Sequence, residues 1–249
     1  MLKAERQKFI MTKLVSEHKV STIELVVDLN VSEDTVRRDL NELNKKGLLE
    51  KVYGGAIPVE KRTTNIFNNV VVNSDKKDIV GRKALSLISD GQVIIMSGGT
   101  TNLAFTKLLP PDLKATIYTY SLPIAMQLAQ HPNIEVIFIG GKLQKNAMVT
   151  IGMDVVQVLS KLKADICFMG SSSINVRLGL TEIGYEVSLV KKAMMEASDN
   201  VVCMVTSEKL NTKMPYVVCE INQLNIIITD LNPDAPILDD YIKAGVQLI

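Results

Sequence analysis

Between residues 21 and 47 the chain sets two short amphipathic periods around a two-residue turn, and few folds accept that arrangement. Leu25, Val26 and Leu29 share one face of the first period; Val36, Leu40 and Leu43 fall at i, i+4 and i+7 in the second. Asn30-Val31 lies between them. Ser21-Thr22-Ile23-Glu24 has the form of a capping box, in which the serine satisfies an orphan amide and the glutamate reaches back, so a helix is expected to start there. Ser32 is placed to cap the next helix, with Glu33 and Asp34 in its first turn, where the helix dipole favours negative charge. Lys45-Lys46-Gly47 closes it with cations and a helix-stopping glycine. An earlier helix is expected from Glu5 to Val15, with Phe9, Ile10, Leu14 and Val15 at helical spacing and the pattern stopping near His18-Lys19. Leu48 to Tyr53 reads as a strand, Gly54-Gly55 as a tight turn and Ala56-Ile57 as the return strand. Three helices and a small hairpin in this order make a winged helix-turn-helix, whose third helix enters the major groove of DNA.

The stripe Val36-Leu40-Leu43 turns Thr35, Arg37 and Arg38 away from the core. A groove-reading helix needs short polar residues near its N-terminus to approach base edges, and arginines to hold phosphate or guanine. Ser32, Thr35, Arg37 and Arg38 supply that mixture, and Lys51 and Tyr53 extend it onto the hairpin. Bulk charge does not decide the matter. The whole chain carries net +1; residues 1–62 hold 12 Lys/Arg against 10 Asp/Glu, and the remainder 16 against 17. An arginine pair on one helix is usually only a solvated face, so the case rests on the framework around it.

The 249 residues, 47% of them hydrophobic, are enough for one or two packed domains. No apolar run approaches the ~18 residues of a membrane span, and Met-Leu-Lys-Ala-Glu-Arg is no secretory signal, so a cytoplasmic protein without a membrane partner is expected. Cys167, Cys203 and Cys219 sit in apolar stretches without CxxC spacing, which points to reduced core thiols. His18 and His131 have no metal-ligand neighbours, and neither a metal site nor a cofactor is expected.

Residues 59–74, rich in Lys, Arg, Thr and Asn, read as a linker between a DNA-binding domain at 1–58 and a second domain at 75–249, with one extended segment at Val70-Val71-Val72. Asp75 to Ser89 is expected to be helical, with Ile79, Val80, Ala84, Leu87 and Ile88 as its apolar face. Strand-like runs follow at Val93–Met96, Thr116–Tyr120, Glu135–Ile139, Ile166–Met169, Val201–Val205 and Asn225–Thr229, with helical stretches or loops between most of them. That alternation argues for an α/β domain with a mostly parallel sheet, which binds ligands at the carboxyl ends of its strands. Small polar loops lie there: Ser97-Gly98-Gly99-Thr100-Thr101, Thr119-Tyr120-Ser121, Gly140-Gly141-Lys142 and Gly170-Ser171-Ser172-Ser173. Glycine amides and hydroxyls of this kind suit a polar, phosphorylated small ligand, and Lys142, Lys191 and Lys209 could each neutralise a phosphate. Each lysine taken singly reads more readily as a surface residue, and the glycine loop reads equally as a plain tight turn.

Val31-Ser32-Glu33-Asp34-Thr35-Val36-Arg37-Arg38-Asp39-Leu40, with Leu43, Gly47-Leu48 and Tyr53-Gly54-Gly55-Ala56, resembles the DeoR family of bacterial sugar-metabolism regulators. The family often has Arg and His before the Gly-Gly pair, where this chain has Lys51 and Tyr53; lysine keeps the charge but loses the bidentate fork. The resemblance continues through Gly99-Thr100-Thr101, Thr119 with Ser121, Gly140-Gly141, Gly152, Asp165, Gly170, Gly179-Leu180-Thr181, Glu186, Lys191, Lys209 and Thr229-Asp230. It implies an effector domain similar in fold to ribose-5-phosphate isomerase that senses a phosphorylated sugar. Departures fall in the implied pocket: Ser97 replaces the usual Asp, Tyr120 the usual Asn, Ser171–Ser173 an acidic position, and an Asp near Thr206 is lost. On this reading several carboxylates that would accept sugar hydroxyls have become neutral.

The expectation is a homodimeric or homotetrameric repressor on a double-stranded operator, released or engaged by a sugar phosphate, and not an enzyme. Two rivals stand beside it. One is an oligomeric DNA-binding regulator with no small-molecule effector; the other is a sugar-phosphate isomerase with an accessory DNA-binding domain, for which Glu186 is the best remaining base.

Overall fold

The structure, a computed structural model, describes residues 3–17, 19–57 and 74–249. The chain divides into two compact units, Met1–Thr64 and Asn65–Ile249. Residues 59–73 of the expected linker, with the extended segment at Val70–Val72, lie outside the described residues, as does His18, and Ser74 already belongs to the helix that follows.

The first unit runs α1 (Lys3–Glu17), β1 (Val20–Ser21), α2 (Thr22–Leu29), α3 (Glu33–Lys45), β2 (Glu50–Val52) and β3 (Gly55–Ile57). Its core is Ile10, Leu14, Leu25, Leu29, Val36, Leu40, Leu43, Leu49 and Ala56. Leu40 is fully buried at its centre, and truncating such a leucine to alanine costs about 2–5 kcal/mol. Asn30 turns the chain between α2 and α3 in the left-handed region, φ 49°, and Gly47 stops α3 at φ 68°. The capping box expected at Ser21 does not form: its side chain makes no cap hydrogen bond. Val20-Ser21 instead pairs with Gly55-Ala56, and the first amide of α2, Thr22 N, is satisfied by Gly54 O at 2.8 Å. The wing therefore has three strands, ordered β1-β3-β2. Phe9 and Ile23, both apolar, face solvent.

The second unit begins with α4 (Ser74–Ala84), which tightens into a 3-10 turn over Leu85–Leu87. Then come β4 (Val93–Met96), α5 (Thr100–Thr106), β5 (Ala115–Thr119), α6 (Leu122–Leu128), β6 (Ile134–Phe138), β7 (Lys142–Gln144), β8 (Val149–Ile151), α7 (Met153–Ser160), β9 (Ala164–Gly170), β10 (Ser173–Asn175) and β11 (Gly179–Glu182). The chain ends with α8 (Tyr185–Glu196), β12 (Ser198–Met204), β13 (Tyr216–Cys219), β14 (Ile226–Ile228), α9 (Asp239–Lys243) and β15 (Gln247–Leu248).

Seven of these strands form one parallel sheet in the order β15-β14-β12-β9-β4-β5-β6. All six strand-like runs of the sequence belong to it, and β15 is the addition. Both faces are covered, which is why these strands read as continuous apolar runs. Ile94, Met96, Phe168, Val202 and Met204 pack with Val80, Phe105 and Ile124 on one side. Ile95, Cys167, Met169, Cys203 and Ile227 pack with Val155, Leu159, Val190 and Met194 on the other. Ile79, expected in the core, is exposed, and α4 instead buries Lys77, Val80, Gly81 and Ala84. Gly81 sets that rotation by close approach: a Cβ there would stand 2.9 Å from Leu108 Cδ1 and 3.3 Å from Phe105 Cα. The antiparallel pieces β7-β8 and β10-β11-β13 were not anticipated from the sequence.

Strand order reverses beside β4, because β5 and β6 extend the sheet one way whereas β9 returns to β4's other edge and β12, β14 and β15 follow it. In open parallel sheets that switch point opens a crevice beyond the strands' carboxyl ends. Here it is bounded by the loops after β4 and β9.

Candidate functional site

α3 starts from Ser32, whose Oγ accepts the Thr35 amide at 3.3 Å and hydrogen-bonds the Thr35 hydroxyl at 2.9 Å. Arg37 and Arg38 stand out from the helix, their side chains 62% and 77% exposed. Each pairs with a carboxylate one turn earlier, Arg37 with Glu33 at 2.6 Å and Arg38 with Asp34 at 2.7 Å. Exposed pairs at i,i+4 are worth only about 0.3–0.5 kcal/mol, so a phosphate or base edge displaces them at little cost. Lys51 folds back on α3, its Nζ donating to Asn41 Oδ1 at 2.8 Å while its backbone N–H donates to Asn44 Oδ1 at 3.0 Å. Tyr53 stands fully exposed at the wing tip beside Gly54, φ 80°. Asp39 is buried on the core side of α3, and Arg6 of α1 donates to it through Nε at 2.7 Å. The sequence signal for that pair was a carboxylate set within the apolar stripe of Val36, Leu40 and Leu43, which demands a cation.

At the switch point of the second unit, Ser97 is fully buried and braces β4 against β9. Its Oγ accepts Gly170 N at 2.8 Å and Asn102 Nδ2 at 3.0 Å. Asn102 Nδ2 also donates to Ser97 O at 2.7 Å and Phe168 O at 3.0 Å. Gly98 lies where any side chain would strike Val149, since a Cβ would come within 2.5 Å of its Cγ1. Gly99, φ 119°, is exposed and leads into α5, where Thr100 is half-buried and Thr101 buried. Tyr120 and Ser121 are buried alongside; burial, with Glu182's charge adding, pushes the Tyr120 hydroxyl's pKa up and keeps it neutral. Gly141 is exposed and precedes β7.

Beyond β9, Ser171 is buried and its Oγ has no hydrogen-bond partner. Lys209 reaches in from the loop after β12 and donates to Ser171 O at 2.6 Å. Burial lowers the pKa of its ammonium, and the nearby charge of Lys191 lowers it further. Lys191, on α8, donates to Gly170 O at 2.6 Å and forms a buried ion pair with Glu182. Glu182 also accepts Ser172 N at 3.2 Å and Ser172 Oγ at 2.5 Å. Burial pushes its carboxyl up, but the charge and hydrogen bond of Lys191 and the Ser172 donors outweigh that and hold it below the usual carboxylate range.

The structure thus brings Ser97, Gly98, Tyr120, Ser121, Ser171, Ser172, Lys191 and Lys209 to one end of the sheet. Lys142 and Glu186 stand elsewhere as an exposed pair 3.7 Å apart, the bland reading of Glu186. The sequence missed Glu182 and Asn102, and offered Asp230 only as a landmark of the family resemblance. Asp230, at the end of β14, accepts Ser207 N at 2.6 Å and Ser207 Oγ at 2.9 Å. The neutral replacements at Ser97 and Ser171–Ser173 are therefore accompanied by two carboxylates at other strand ends. The three cysteines are free and buried, and burial pushes the thiols of Cys167 and Cys203 up to about 12.

Residues 6–62 match the family model of the DeoR-like helix-turn-helix domain, and residues 72–231 that of the DeoR C terminal sensor domain. The chain belongs to the DeoR family. A DeoR protein with this N-terminal unit is a DNA-binding transcription regulator and not an enzyme. Among its relatives is the HTH-type transcriptional repressor GlcR of Bacillus subtilis, 30% identical over all of this chain and 96% of its own. The HTH-type transcriptional regulator GolR of Listeria innocua is 27% identical over all of this chain and 98% of its own. The glycerol-3-phosphate regulon repressor of Escherichia coli is 27% identical over all of this chain and 99% of its own. Ribose 5-phosphate isomerase A of Methanocaldococcus jannaschii overlaps 55% of each chain at a TM-score of 0.42 and 22% identity, too loose a likeness to carry a functional inference. Among the described residues no helix is long and apolar enough to cross a membrane.

Proposed function

We propose that this DeoR protein is a repressor of a carbohydrate-use operon and that a phosphorylated sugar sets its operator affinity. The observation that carries the effector reading is a pair of groups at the switch point: the half-buried Lys209 ammonium, held by a neutral carbonyl, and the buried, unpartnered Ser171 hydroxyl. Both would be satisfied by an anionic, hydrogen-bonding ligand. The loops of Gly98–Thr101, Tyr120-Ser121 and Gly141, with Ser172 and Lys191, would supply its remaining surroundings, while the exposed Lys142–Glu186 pair takes no part. On the DNA side, Ser32, Thr35, Arg37 and Arg38 would meet the major groove, and Lys51 and Tyr53 the flanking backbone.

We assign residues 1–58 to DNA binding, 59–74 to the linker, and 75–249 to sensing and oligomerisation. A helix-turn-helix reads paired half-sites, so the working form is a homodimer or homotetramer. Exposed Tyr185, Tyr216 and Val217, with the Tyr185 and Tyr216 rings 5.6 Å apart, support self-association on the outer side of β13. Control requires the ligand to bind one arrangement better than the other. The test is thermal denaturation against phosphorylated sugars and their unphosphorylated parents. A ligand at 100 times its Kd adds about 2.7 kcal/mol, a visible shift. Response to a phosphorylated sugar, absent with its parent, is the expected result. No response across the panel would leave the DNA-binding regulator without an effector of this class.

A further inference from the structure

Two lysines stand at the switch point, Lys191 buried and Lys209 half-buried, and they differ in their partners. Lys191 is already neutralised: Glu182 pairs with it, and Gly170 O takes a further hydrogen at 2.6 Å. The Lys209 ammonium donates to the neutral Ser171 O at 2.6 Å. The Glu182 carboxylate meanwhile collects a backbone amide, Ser172 N, at 3.2 Å, a hydroxyl, Ser172 Oγ, at 2.5 Å, and the Lys191 ammonium. An amide, a hydroxyl and an ammonium converging on two oxygens make the donor set of an oxyanion site. In this chain the oxygens belong to the protein.

We infer that Glu182 is a resident anion that fills the Lys191 oxyanion site, so that an effector's phosphate is received at Lys209 and Ser171 and only an uncharged, hydroxyl-bearing group is accepted beside Glu182. Glu182 is then a specificity-determining residue. A second anion at Lys191 would find its donors taken and a like charge in contact, which in a dry site is strongly unfavourable. Position 209 differs: the acceptor its ammonium holds is the neutral Ser171 O, although the charges of Glu208 and Glu182 also act on it. The inference rests on the sugar-phosphate reading for the ligand's chemistry, though not for the state of Glu182.

The experiment titrates inorganic phosphate into the full-length protein at constant ionic strength, with binding read by calorimetry and thermal shift. Glu182→Gln keeps the shape of the side chain and removes its charge. It is expected to raise phosphate affinity at least tenfold, and adding Lys191→Met is expected to cancel that gain. Lys209→Met is expected to abolish whatever binding the unaltered protein shows. An unchanged affinity in Glu182→Gln overturns the inference while leaving the sugar-phosphate reading intact. A gain in Glu182→Gln with no binding by the unaltered protein or by any phosphorylated sugar keeps Glu182's role and removes that reading. Should Glu182→Gln alone fail to fold, the Glu182→Gln/Lys191→Met double variant, in which the buried ion pair is removed as a unit, decides. Loss of the unaltered protein's phosphate response there would place phosphate on Lys191 and refute the inference, and its retention would support it.

Discussion

Ser97→Ala separates a brace from a ligand contact. The sequence offers Ser97 as a pocket hydroxyl, yet its Oγ is enclosed, accepting Gly170 N at 2.8 Å and Asn102 Nδ2 at 3.0 Å. Asn102 Nδ2 keeps two other acceptors in the alanine variant, Ser97 O at 2.7 Å and Phe168 O at 3.0 Å. Gly170 N keeps none among the described residues. One buried amide left unsatisfied costs about 1–3 kcal/mol. In a unit of roughly 150–250 residues each kcal/mol moves Tm by about 2–4 °C, so the sensor unit's transition should fall by about 2–12 °C. Calorimetry on full-length protein reads this, with the transition of the DNA-binding unit as an internal control. A Tm equal to that of the unaltered protein, with effector response lost, would refute the brace and make Ser97 a ligand contact.

Ser171→Ala should behave in the opposite way: its Oγ has no partner to lose, so ligand-free stability should hold within about 0.5 kcal/mol by denaturant titration while phosphate affinity falls. Glu182 titrates below the usual carboxylate range when folded, so it contributes stability above the unfolded pKa of about 4.3, lost as pH falls through the folded value. Acid unfolding of Glu182→Gln should therefore show a shallower loss of stability below about pH 5 than the unaltered protein; parallel curves would contradict the shift. Gly179→Ala should destabilise well beyond 1 kcal/mol in urea, because φ is 74° and a Cβ would sit 1.9 Å from Cys219 O.

The parallel sheet was legible because its central strands are buried on both faces and so spell unbroken apolar runs such as Val93–Met96 or Ile166–Met169, whereas the edge strand β6 leaves Glu135 and Phe138 exposed. Strands β10, β11 and β13 have no such signature: they span three or four residues, and β11, Gly-Leu-Thr-Glu, is buried throughout although half of it is polar. Helix α3 was legible from its stripe and its Ser32 cap. The Ser21 capping box misled because the same residue serves as a strand partner for Gly55, and tertiary pairing overrode a local preference. At the sensor site the loops were readable but their roles were not. Ser97 and Lys209 are each one polar residue in a strand-end loop, and only the fold turns one into a brace and the other into a half-buried cation. Glu182 meets Lys191 across a strand and a helix, and neither residue carries a local mark of that pairing.

The central claim is that α3 reads DNA. Duplexes selected from a random pool by the full-length protein, then bound across a range of salt concentrations by the unaltered protein and by Arg37→Ala/Arg38→Ala, test it directly. The account predicts recovered duplexes with paired half-sites. It also predicts that the double variant loses about 2–6 kcal/mol of binding where both arginines read bases, or shows a salt slope reduced by about 1 per lost phosphate contact. Equal affinity and equal salt slope for the two proteins on the selected duplex would contradict it.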